Sequence, residues 1–84
     1  MNITLLCFGR PRERLGVSSE RLNLPDGIAT LGELLAWLRA RGGNWASELA
    51  AGQVRCAIDQ EFAESGAALR DGSEVAIFSP ISGG

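Results

Sequence analysis

With 84 residues and 45% apolar side chains, the chain can build one small core and is too apolar for disorder. All eight basic residues are arginine, histidine and lysine are absent, and the net charge is −2; this excludes a lysine Schiff base or histidine proton shuttle and gives no reason to expect nucleic-acid binding. No apolar run is long enough to span a bilayer and MNITLLCFGR lacks a basic n-region, so the expectation is one unprocessed cytoplasmic domain, residues 1–84, with no membrane partner.

NITLLCF (2–8) alternates as a first strand, with Ile3, Leu5 and Cys7 on one face and Thr4, Leu6 and Phe8 on the other. GRPRERLGV reads as a polar turn punctuated by glycine and proline, and SERLNL (19–24) as a partner strand closing a hairpin. PDG at 25–27 stops that strand. Thr30 and Glu33 have capping-box spacing, and Leu31, Leu34, Leu35 and Leu38 recur at helical intervals, which predicts an amphipathic helix over 31–41 ended by Gly42-Gly43. NWASELAAG offers a short second helical turn with Trp45 and Leu49 inward. Trp37 reads as a packing residue on the flank of the main helix.

VRCAID (54–59) alternates as a third strand, QEFAES as a short edge strand, and EVAIF as the last strand after a turn at Asp71-Gly72. Asp59 and Asp71 fall in turn contexts that favour bonds to nearby backbone. Cys7 and Cys56 lie inside alternating apolar segments, as small buried hydrophobes do; with no CxxC and no histidine, no metal site is expected.

The order β-β-α-β-β-β with one main helix predicts an α+β fold, a β-grasp of the ubiquitin-like kind with a flexible Gly-Gly tail, in which the first and last strands are central parallel neighbours. A ferredoxin-like half lacking a helix is the alternative. In the β-grasp, Phe8 and Phe78 either stand side by side on the face the helix leaves uncovered, where an aromatic pair can anchor a partner with Leu6 beside it and Ala57 leaving the surface flat, or are partly buried under loops. Arg10, Arg12 and Arg14 fall at the same end as the tail, either as a solvated charge run or as a cluster that meets an acidic rim.

The ending itself, SPISGG (79–84), is the most informative stretch. Six residues beyond Phe78 reach about 20 Å when extended. Ser79-Pro80 favours extended backbone, and Gly83-Gly84 is the thinnest tip a polypeptide can have. A stiff base with a slim tip suits insertion into a deep channel.

The ending EVAIFSPISGG after an RDG turn, the opening ITLLCFGRPRERLG with Arg12-Glu13, the helix TLGELLAWLRARGGNW and the segment VRCAIDQEF together resemble the small, sulfur-carrying subunit of molybdopterin synthase along nearly the whole chain. Ser79-Pro80 departs from that family's frequent pair of prolines. The resemblance implies that Gly84 is adenylated by an E1-like partner that binds ATP, and is then converted to a thiocarboxylate. It implies that Gly84, with Gly83, delivers sulfur to precursor Z (cyclic pyranopterin monophosphate) inside the large subunit of a heterotetramer. On this reading the chain binds no cofactor of its own and is no enzyme alone, and Phe8, Phe78, Pro80, Ile81, Ser82 and Arg12 contact partners. Carrier chemistry for thiamine, cysteine or tRNA thiolation, a ubiquitin-like protein modifier, and a plain interaction domain remain the alternatives.

Overall fold

The computed structural model describes residues 1–50 and 52–80. Strand β1 (Asn2–Cys7) buries Ile3, Leu5 and Cys7 and leaves Thr4 and Leu6 half-buried, so one face of the sheet is core and the other is open. The sheet contains β2 (Ser19–Asn23), β3 (Arg55–Ile58), β4 (Glu61–Ala63) and β5 (Glu74–Phe78) in the order β2-β1-β5-β3-β4. β1 and β5 pair in parallel, Leu5 opposite Val75 and Cys7 opposite Ile77, and every other pairing is antiparallel. This is the β-grasp arrangement, with the last strand at the centre of the sheet.

The main helix, α2 (Leu31–Arg39), lays Leu31, Leu34 and Leu38 on the core face, against Ile3, Leu5, Val75 and Ile77. Burying each such side chain contributes about 1.5–3 kcal/mol. The capping box forms as the spacing predicts: Thr30 Oγ1 accepts the Glu33 N–H at 3.2 Å, and the Glu33 carboxylate accepts the N–H groups of Thr30 and Ala29 at 3.0 and 2.9 Å. Those backbone donors, with the Thr30 hydroxyl, hold Glu33 below its ordinary carboxylate range. Because the folded pKa lies below the unfolded one, this stabilisation is present above the unfolded value and is lost as pH falls through the folded one. Further first-turn donors are taken by the segment before β5, where Leu31 N–H bonds Ala67 O at 2.9 Å and Gly32 N–H bonds Ser65 O at 2.8 Å. A Cβ at Gly32 would stand 3.1 Å from Ser65, which is why this helical position carries glycine.

The helix ends at Arg39, two residues before the predicted end, and Arg41 leaves it for a different role. Its guanidinium donates to both Glu20 carboxylate oxygens at 3.1 Å and lies over the rings of Trp45 and Trp37, 4.5 and 5.8 Å from their centroids. Both tryptophans are half-buried against the core, and Leu49, after the short helix α3 (Asn44–Glu48), is fully buried.

Two expectations need correction. The segment read as a turn is a helix, α1 (Gly9–Leu15). Pro11 fits its first turn, where a missing N–H costs no bond, and Gly16 ends it in the left-handed region at φ 71° with its N–H on Arg12 O at 3.0 Å. Asp71 does not bond its own neighbourhood: its Oδ1 accepts the N–H of Asn2, 69 positions away, at 2.7 Å, fastening the RDG turn to the start of β1.

β3 and β4 are joined through Asp59 and Gln60, with φ of 49° and 71°, and Ile58 pairs with Glu61. Both central residues at positive φ make this a two-residue hairpin of the type that favours Asn-Gly. Asp59 is recompensed by its Oδ1, which accepts the Glu74 N–H at 2.9 Å, whereas no side-chain hydrogen bond of Gln60 is seen among the described residues. Gln60→Gly is therefore expected to stabilise the protein by about 0.5–1 kcal/mol, the relief of left-handed strain less the entropy of glycine. Thermal unfolding should show a Tm higher by roughly 2–8 °C.

Candidate functional site

β1 and β5 run side by side toward one end of the molecule. Phe8 N–H bonds Ile77 O at 3.0 Å, so the end of β1 and the last turn of β5 are tied together where the chain leaves the sheet. Ser79 is half-buried there and Pro80 is exposed. Ile81, Ser82, Gly83 and Gly84, four of the expected functional residues, lie outside the described residues.

The open face of the sheet is unusually apolar around this exit. Register sets Leu6, Ala76, Ala57 and Phe62 in one row across β1, β5, β3 and β4. Arg55 lies opposite Phe78 in the next row toward the exit, which Phe8 extends beyond the end of β1. Phe8 is 50% exposed and Phe62 is 78% exposed; Leu6 and Phe78 are half-buried and Ala57 is covered. The two small alanines at the centre keep the face flat.

The ring that meets Phe78 is Phe62, at 5.8 Å between centroids and tilted by 56°, which is a favoured aromatic geometry. Sequence reading paired Phe78 with Phe8 and passed over Phe62. The missing signal was the turn: with Asp59-Gln60 recognised as a two-residue hairpin, Phe62 falls opposite the outward-facing Ala57. Without glycine or asparagine at 60, the turn does not announce itself.

α1 flanks the exit and packs on α3 and β5. Arg10 and Arg14, one turn apart, face the buried carboxylate of Glu48, with N···O distances of 3.3 and 3.9 Å. Asn44 Nδ2 donates to Arg14 O at 2.8 Å and closes the helix end. Arg12 is exposed, about 200° around the helix from Arg10. A groove of about 580 Å³ past the edge strand β4 brings Arg55, Phe62 and Pro80 into one wall.

Neither cysteine offers a nucleophile. Cys7 and Cys56 flank Ile77 in register on either side of β5, two strand spacings or roughly 9.5 Å apart, beyond disulfide reach. Burial pushes both thiols up to about 11, helped at Cys7 by the charge of Glu20 and at Cys56 by Cys7. At neutral pH both thiols stay protonated. What the described surface provides is a flat apolar face, arginines beside it, and the point at which the chain leaves the sheet.

Comparison with known proteins gives a family and several relatives. The model of the ThiS family matches residues 5–84. A molybdopterin synthase sulfur carrier subunit of Haemophilus influenzae is 33% identical over 82 residues, covering 98% of this chain and 99% of that one. Its counterpart in Chlamydomonas reinhardtii is 37% identical over 86 residues, with 100% of both covered. Among solved structures, small archaeal modifier protein 1 of Haloferax volcanii superposes with a TM-score of 0.68 at 26% identity, over 95% of this chain and 98% of that one.

Proposed function

The chain belongs to the ThiS family, and from that premise we propose that it is the sulfur-carrying subunit of a molybdopterin synthase. The observation that carries the reading is the placement of β5. The central strand brings Ser79 and Pro80 off the sheet beside Phe8 and Phe78, and the family match runs through Gly84.

The chemistry then follows from the reactivity of a carboxylate. A free carboxylate is a poor electrophile because its leaving group would be oxide. An E1-like partner activates it: a Gly84 carboxylate oxygen attacks the α-phosphorus of ATP, pyrophosphate leaves, and an acyl adenylate forms. A sulfide-level sulfur nucleophile then attacks the carbonyl carbon, AMP departs, and Gly84 ends in a thiocarboxylate. Inserted into the large subunit, that sulfur attacks an electrophilic carbon of precursor Z, a carbon–oxygen bond at that carbon breaks, and the oxygen leaves with its electron pair. Water then cleaves the resulting thioester, which leaves sulfur on the substrate and returns the carboxylate. A dithiolene needs two sulfurs and each carrier brings one, which suits two small chains on a large-subunit dimer. This chain supplies the reacting atom and its positioning, while acid–base and anion-binding groups come from partners.

Intact and C-terminal-fragment mass spectrometry tests this after incubation with the adenylating enzyme, ATP and a sulfur donor. The expected result is a mass gain of one oxygen-to-sulfur exchange at Gly84. An unchanged terminus, with the enzyme active on another carrier, overturns the reading. The likeness to an archaeal modifier favours one second reading, in which the same acyl adenylate is joined to lysines of target proteins. Conjugates of higher mass that resist thiols would support that reading instead.

A further inference from the structure

We infer that the docking face fits a protein channel whose mouth carries carboxylates on both sides of the point where the tail enters. The inference deepens the carrier reading and rests on it.

Three observations carry it. First, Arg55 lies opposite Phe78 on one side of β5, while α1, which carries Arg12, begins directly after Phe8 on the other, so the two arginines stand on elements that flank the phenylalanines at the root of the tail. Both arginines are exposed, and neither makes an ion pair among the described residues.

Second, the arginines of α1 are sorted. The i, i+4 pair Arg10 and Arg14 shares the buried Glu48, whose charge offsets part of theirs, whereas Arg12 points away from that carboxylate. A charge run serving only to solvate the helix needs no buried acid beneath two of its members. Here the acid fixes the face from which the third is presented.

Third, the opposite pole is acidic. The register places Glu74 beside Thr4, Glu61 beside Ile58, and Asp59 and Asp71 in the turns at that end, against Arg21 opposite Thr4, Arg70 and the Met1 ammonium. At the exit end Arg10, Arg12, Arg14 and Arg55 stand against Glu13, Glu48 and Glu64, so a chain with net charge −2 carries its less acidic end around the tail. An acidic mouth attracts that end and repels the other, so the field turns the molecule tail-first before contact. Rim charges of this kind act mainly on the association rate and its salt dependence.

The test is stopped-flow association with the purified large synthase subunit of the same source, at low salt and at about 0.5 M, where screening shortens to a few ångströms. Arg12→Glu and Arg55→Glu are each expected to slow association about fivefold or more at low salt and by less than about twofold at high salt. Glu61→Arg, at the far pole, is expected to change the rate by less than about twofold, with all three variants checked for an unchanged Tm. Association of both exit variants at the wild-type rate, or equal effects at the two poles, overturns the inference. Failure of the wild-type chain itself to bind the large subunit would sink the carrier reading, which keeps the two failures apart.

Discussion

Deleting Gly84, or adding a residue after it, is expected to abolish sulfur transfer while leaving the melting curve unchanged. On the proposed function the last residue is where the acyl adenylate and the thiocarboxylate form, and one residue of extended chain is roughly 3.3–3.6 Å. A reacting atom has to reach within about 3–3.5 Å of its target in the right direction, and a misplacement of 1 Å alone can cost on the order of a hundredfold. A shift of a whole residue in either direction therefore removes activity to the limit of detection. Folding is insulated from the change, because β5 ends at Phe78 and the buried set of Ile3, Leu5, Leu34, Leu38, Val75 and Ile77 lies upstream of the tail. The check is product formation with the activating enzyme, large subunit and precursor Z, beside a thermal melt of each variant. If the lengthened chain transferred sulfur at the normal rate, Gly84 would not be the reacting residue.

The parts of this structure legible in the sequence are those whose cause is local. Thr30, Glu33 and the leucines of α2 lie within a few residues of one another, and their cap and stripe form as spacing dictates. The parallel pairing of β1 with β5 followed from element order, because a single main helix can cover only one face of a mixed sheet. What the sequence hid is held by distant partners. Seven residues make a marginal helix in isolation, and α1 has no apolar stripe to reveal it. Its support comes from Glu48 and Asn44, thirty or more positions along the chain from Arg14. Asp71 likewise finds its donor at Asn2, across the sheet. Phe62 was obscured differently, by a hairpin turn built without the residues that normally signal one.

That overlooked ring is the site of the second large effect. Phe62→Ala is expected to weaken binding to the large subunit by about 10- to 30-fold, with a change in Tm of no more than a few degrees. Phe62 is 78% exposed, so truncation removes little surface already withdrawn from water. The stability at risk is its tilted contact with Phe78, on the order of 0.5–1.5 kcal/mol at most. In a complex the same ring is covered, and an aromatic anchor at the middle of an interface can contribute 2 kcal/mol or more. Its neighbours favour such an anchor: Ala57 and Ala76 keep the face flat, and Leu6 and Phe8 extend the apolar surface to the tail exit. Titration calorimetry against the large subunit, paired with a thermal melt, separates the two roles. Wild-type affinity combined with a large loss of Tm would make Phe62 a packing residue of the β3–β4 hairpin. The combination of lost affinity and retained Tm assigns it to the docking face. A double substitution with Phe78→Ala would then show whether the partner reads the pair as one unit, since coupled anchors lose less together than the sum of their separate losses.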